Sequence, residues 1–205
     1  MRHLLFLLPL MFLATPAAYG ADTLKSKRFH FGTHPARTSI SFVSDAELET
    51  IHGTTNQIGG SLVVDAAGET ASGTLRIAVS SLDTGIAKRN EHLQGKTWLD
   101  AAKHRLISLK IINATQGKDG KWDYSGKLTI KGVTNDVKGT VRLTVFPKGT
   151  KGLGAGEWVR ARTRFDVKLS HYGIKIPEMV GAKVSDVWKV SIDVFGTTAA
   201  PKKRS

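Results

Sequence analysis

The sequence predicts an all-β protein, an antiparallel up-and-down barrel of about eight strands interrupted by one short helical insertion. Three observations carry this expectation. Apolar residues recur with a period of two along most of the chain, turn signals separate the alternating runs at short intervals, and a single segment breaks the pattern.

The alternation marks strands with one face against an interior and the other toward water. Leu75, Ile77 and Val79 share one face, and Ile107, Leu109 and Ile111 repeat the pattern. Leu128 and Ile130 follow, then Val141, Leu143 and Val145, then Phe165, Val167 and Leu169, and finally Val190, Ile192 and Val194. Upstream, Arg37 to Ser44 alternates through Ile40 and Phe42, and Ile58 to Asp65 forms a further short strand. Glu47 to His52 reads as another strand or as a bulged continuation. Turns are expected at Asp65 to Gly68, Gly117 to Gly120, Asn135-Asp136 and the glycine-rich Lys148 to Gly156. Residues 84–104 mix Ile86, Leu93, Trp98 and Leu99 with charged residues and few β-branched ones. A helix is expected there from about Lys88 to Gln94, with a second around Trp98 to Lys103.

The ends of the chain read differently. Arg2 and His3 precede an apolar run from Leu4 to Leu13, followed by small residues with Ala18 and Gly20 placed for cleavage before Ala21. This is the pattern of a secretory signal peptide over residues 1–20, and its apolar run is about half of what a bilayer requires. An N-terminal segment, 21–36, then leads into the barrel domain, 37–196. Residues 197–205 form a basic tail through Lys202, Lys203 and Arg204. The exported chain carries no cysteine, so packing and hydrogen bonding must hold it, and thiolate chemistry is excluded.

Charge and motifs bound the function. Lys and Arg number 30 against 17 Asp and Glu, a net charge of +13. Such a balance favours anionic partners and gives weak attraction to an anionic membrane surface, while export makes nucleic acid an unfavoured partner. There is no Gly-x-Ser-x-Gly elbow, no Ser-x-x-Lys motif and no glycine loop ahead of a helix to cradle phosphate. The histidines His30, His34, His52, His104 and His171 are scattered, with only Glu47 and Glu49 near His52. No catalytic residue, metal or cofactor is therefore expected. An eight-stranded barrel leaves room for side chains alone or for one slender ligand, and the alternation does not choose between them.

Several segments together resemble the YceI-like family of lipid- and polyisoprenoid-binding periplasmic proteins. They are Ser81-Leu82-Asp83-Thr84-Gly85-Ile86, then Arg89-Asn90-Glu91-His92-Leu93 and Trp98-Leu99-Asp100. Gly126-Lys127-Leu128-Thr129-Ile130-Lys131-Gly132-Val133-Thr134 resembles a family hairpin, and Tyr172-Gly173-Ile174 a late aromatic–Gly–Ile step. Order and spacing agree over about Arg37 to Phe195. The chain departs at Thr38-Ser39, at His104-Arg105 and around Leu169, which bears on the ligand more than on the fold.

The resemblance implies a lipocalin-like barrel in the periplasm that holds an isoprenoid quinone, a polyprenyl chain or another amphiphilic lipid. The residues expected to line it are Leu75, Ile77 and Val79, Leu109 and Ile111, Leu128 and Ile130, Leu143 and Val145, and Phe165 and Val167. Arg89, His92 and Trp98, with Lys96 and Lys103, are expected at the mouth, where a polar head group needs donors. Arg89 and His92 could instead anchor the helix. The competing expectation for the whole chain is a structural or envelope stress-related interaction protein with a filled core and a basic surface.

Overall fold

The structure, a computed structural model, describes residues 25–65 and 67–201. The expected signal peptide lies outside them, as does the end of the basic tail from Lys202 onward.

Among the described residues, ten antiparallel strands build eight staves. They are β1 (Lys27–Phe31), β2 (Ser39–Asp45), β3 (Thr50–Thr55), β4 (Ile58–Val64), β5 (Thr70–Ala78), β6 (Leu106–Gln116), β7 (Lys121–Ile130), β8 (Val133–Phe146), β9 (Trp158–Lys168) and β10 (Val187–Thr197). β10 pairs along the same edge with β1 near Gly196 and with β2 from Trp188 to Asp193. β1 and β2 are therefore two halves of one stave. β2 pairs with β3 and β1 with β4, which makes β3 and β4 the next stave. From β4 to β10 each strand pairs with its successor, and the ring closes.

β1 lies in the segment expected to precede the barrel. Its Phe29 and Phe31 are buried while Lys27 and Arg28 are exposed, so a five-residue alternation closes the ring ahead of the expected start at residue 37. Asn135-Asp136 is not a turn. The reversal falls at Lys131-Gly132, where both residues take positive φ, 49° and 78°, and so form a tight two-residue hairpin whose twist matches its strands. Asn135 then pairs opposite Leu128, and Asp136 opposite Lys127, whose Nζ it meets at 2.7 Å.

The insertion contributes one helix, α1 (Ala87–Gln94). The second expected helix is a run of hydrogen-bonded turns. Asp100 takes φ of 49°, which ends any right-handed helix, and the backbone N–H groups of Leu99 and Ala101 fold back onto Leu93 and Gln94.

Two buried clusters fill the ends of the barrel. Phe29, Phe31, Leu62, Trp122, Tyr124 and Val159 plug one end. Leu82, Leu93, Leu99, Leu169, Tyr172 and Ile174 pack at the other, beneath the insertion.

One seam is incomplete. β8 pairs with β7 along its first ten residues but with β9 only from Arg142 to Phe146. Beyond Arg142 and Arg162 the two strands part, and the Thr163 hydroxyl donates to the Thr140 carbonyl at 2.8 Å where the ladder stops.

Candidate functional site: an apolar cavity and its mouth

Between the two end clusters lies a cavity of about 110 Å³. Strand parity puts its walls in place. Leu75 stands opposite Leu109, which stands opposite Leu128; across the barrel, Phe165 stands opposite Val190, which stands opposite Phe42. Directly opposed residues share a face, so both rows point inward together. Leu75, Ile77, Leu109, Phe165 and Val190 are nevertheless only half-buried, because they face open space rather than one another. The lining is almost wholly apolar.

Of the residues expected on the wall, Leu75, Ile77, Leu109, Leu128, Ile130, Phe165 and Val167 line this cavity. Four do not. β5 ends at Ala78, so Val79 starts a 3-10 turn and is buried in the cluster beneath the insertion. Ile111 and Leu143 point inward but pack against the opposite plug. Val145 is 56 % exposed. β7 begins opposite Arg142, so its ladder with β8 does not reach Val145.

The cavity meets a second, larger hollow of about 500 Å³ under the insertion, with Phe42 and Trp188 bordering both. The two rings stack with centroids 4.3 Å apart and planes 7° from parallel. Phe42 can lie flat there because Gly53 is its cross-strand partner; a Cβ on Gly53 would come within 2.1 Å of the Phe42 ring. Trp188 is 8 % exposed, and its buried Nε1 donor has no hydrogen-bond partner among the described residues. An N–H left unpaired in an apolar wall costs free energy that an acceptor on a bound molecule would restore. Alternation through Trp188, Val190 and Ile192 was available in the sequence to place this ring on the wall.

Arg89, His92 and Trp98 border the outer hollow, where Glu49, Met179 and Lys183 join them. Lys96 and Lys103 are exposed and lie off it. The Arg89 guanidinium is not free for a head group, since it is held by the carboxylate of Glu49 on the loop before β3. Met179 is 89 % exposed at the rim, opposite the insertion's Trp98.

The insertion is fixed by its own polar corner. Asn90 accepts from the backbone N–H and hydroxyl of Thr84, at 2.8 and 2.7 Å, and donates to Asp83 at 2.7 Å. Asp83 also accepts from the Gly85 N–H. The Asn90 bond first, and then the Gly85 bond, hold its carboxyl below the usual carboxylate range. The Asp83 backbone exchanges hydrogen bonds with Thr54 on β3, and the Ser81 and Thr55 hydroxyls meet at 2.7 Å. The Ser81-to-Ile86 run thus docks the cap onto the barrel. Among the described residues no group of three or more His, Asp or Glu is placed to hold a metal ion.

Comparison with known proteins places this architecture. The model of the YceI-like domain matches residues 31–195. A UPF0312 protein of Vibrio cholerae is 26% identical over 150 residues, covering 70% of this chain and 76% of that protein. Among solved structures, BcnA of Burkholderia cenocepacia superposes with a TM-score of 0.66 at 22% identity, over 80% of this chain and 98% of that one. A polyisoprenoid binding domain from Saccharophagus degradans does so with a TM-score of 0.62 at 17% identity, over 84% and 99%.

Proposed function

Because the chain belongs to the YceI-like domain family, we propose that it is a binding protein that holds an isoprenoid-type amphiphile, with the apolar tail inside the barrel and the polar end under the insertion. The observation that carries this reading is the apolar cavity continuous in lining with the outer hollow through Phe42 and Trp188. A cavity of that lining has nothing to recognise but hydrocarbon, at about 0.8 kcal/mol for each CH₂ taken from water. Orientation then falls to the few polar groups at the mouth, among them the Trp188 Nε1, a buried donor with no hydrogen-bond partner among the described residues. The solved polyisoprenoid binding domain of the same fold supports the ligand class.

The reading includes export, supported by Arg2, the apolar run from Leu4 and the small residues before Ala21. It places the ligand-bound protein in the periplasm, and a mature N-terminus at Ala21 is the expected mass-spectrometric result.

Organic extraction of protein purified from its native host, followed by mass spectrometry, is expected to release a prenyl-type lipid. Geranylgeraniol added to the delipidated protein should quench Trp188 fluorescence in wild type and lose that response in Trp188→Phe. A protein that carries no lipid and ignores geranylgeraniol would instead be a filled-core interaction protein.

A further inference from the structure

The outer face of the barrel at the incomplete seam carries an arrangement that the interior does not explain. Lys121 on β7 stands directly opposite Arg142 on β8, which stands directly opposite Arg162 on β9. Three cations thus occupy one row on three adjacent strands, each about 5 Å from the next. Arg164, two residues along β9, faces the same side one step away. Like charges set directly across a sheet destabilise it, so such a row is not the arrangement that solubility alone would select.

The acidic residues beside Arg162 and Arg164 leave these two cations unpaired. Asp193 lies opposite Arg162, but its carboxylate is taken at both oxygens by Arg160, through Nε at 2.7 Å and Nη2 at 2.5 Å. Asp123 and Asp166 stand at the borders, opposite Thr140 and Lys189. Arg162 and Arg164 have no ion-pair partner among the described residues.

The row is also concave. Where β8 and β9 part, a notch of about 570 Å³ opens, bordered by these four cations, by Ser39, Ser41, Thr140 and Ser191, and by the Asp193 that Arg160 already holds. Hydroxyl donors and guanidinium forks converging in a notch match the tetrahedral oxygens of a phosphate, which accept several charge-assisted hydrogen bonds at once. We propose that this notch on the flank of the barrel, built from Lys121, Arg142, Arg162 and Arg164, is a binding site for a phosphate-class oxyanion, either free or carried on a lipid head group. It is separate from the mouth under the insertion and stands whether or not the interior takes a lipid.

The test uses two probes at low ionic strength: inorganic pyrophosphate by calorimetry and phosphatidylglycerol vesicles by flotation. The double variant Arg162→Gln/Arg164→Gln should weaken binding by about tenfold or more, the scale of lost charge-assisted contacts. The control Lys25→Gln/Lys110→Gln removes the same charge from other exposed positions and should leave binding nearly unchanged. Binding of pyrophosphate but not vesicles identifies a free anion as the source; binding of vesicles alone identifies a head group. Without added anion the double arginine variant should melt at or above wild type, because the cross-strand opposition is relieved. The site is overturned if neither probe binds, if both double variants weaken binding equally, or if the arginine variant melts well below wild type.

Discussion

Gly53 shows how one missing side chain shapes the cavity. It sits opposite Phe42, and the Phe42 ring occupies the place its Cβ would take, which lets the ring stack on Trp188 between the interior and the mouth. Gly53→Ala should push that ring off Trp188 and cost about 1–3 kcal/mol, the range for overpacking a filled interior. Urea unfolding measures the loss, and binding of geranylgeraniol should fall with it. An unchanged midpoint would mean the ring moves freely, contrary to the packing described. Trp188 itself is legible as a wall residue from alternation. Its unpaired Nε1 is not, because whether a donor finds an acceptor depends on atoms brought from β2 and the insertion.

At the level of the elements, α1 is short, lacks a side-chain cap at its start and depends on the Asp83–Asn90 corner for its position. Asn90→Ala should free Thr84 and Asp83, and hydrogen exchange should accelerate over residues 84–94 while the strands stay protected. The change carries a pH signature. The folded pKa of Asp83 is depressed, so its contribution to stability is present above about pH 4, the unfolded carboxylate value, and is lost as pH falls through the lower folded value. Asn90 is the largest cause, so the acid limb of the stability profile should flatten in Asn90→Ala. An identical acid limb in both proteins would remove the corner as its source. The helix and its approximate bounds follow from composition. The failure of a second helix does not, since it rests on the left-handed Asp100 and on backbone bonds back to Gln94.

The whole molecule closes through its weakest-looking strand. β1 has five residues, yet Phe29 is 1 % exposed at the centre of the plug opposite the mouth. Phe29→Ala should cost about 3–5 kcal/mol, as for other buried aromatic truncations, and it should loosen β1 from β4 and β10 together. A calorimetric melting temperature within a degree or two of wild type would show that the ring closes without β1.

Alternation is a local property, and a period of two commits every residue of a strand to one face or the other. Strand identity, the inward parity of Leu75, Leu109, Leu128 and Phe165, and the all-β antiparallel class could therefore be read along the chain. The interruption of two staves, the turn at Lys131-Gly132 and the short β8–β9 ladder could not, because each depends on which strand lies beside which. The division of inward residues between plug and cavity belongs to the same group. Ile111, Leu143 and Leu109 share parity and chemistry, and only their height along a closed barrel separates packing from lining. Charge behaves alike. A net +13 is a sum over the chain, whereas the row of Lys121, Arg142 and Arg162 exists only once pairing register sets three distant residues side by side.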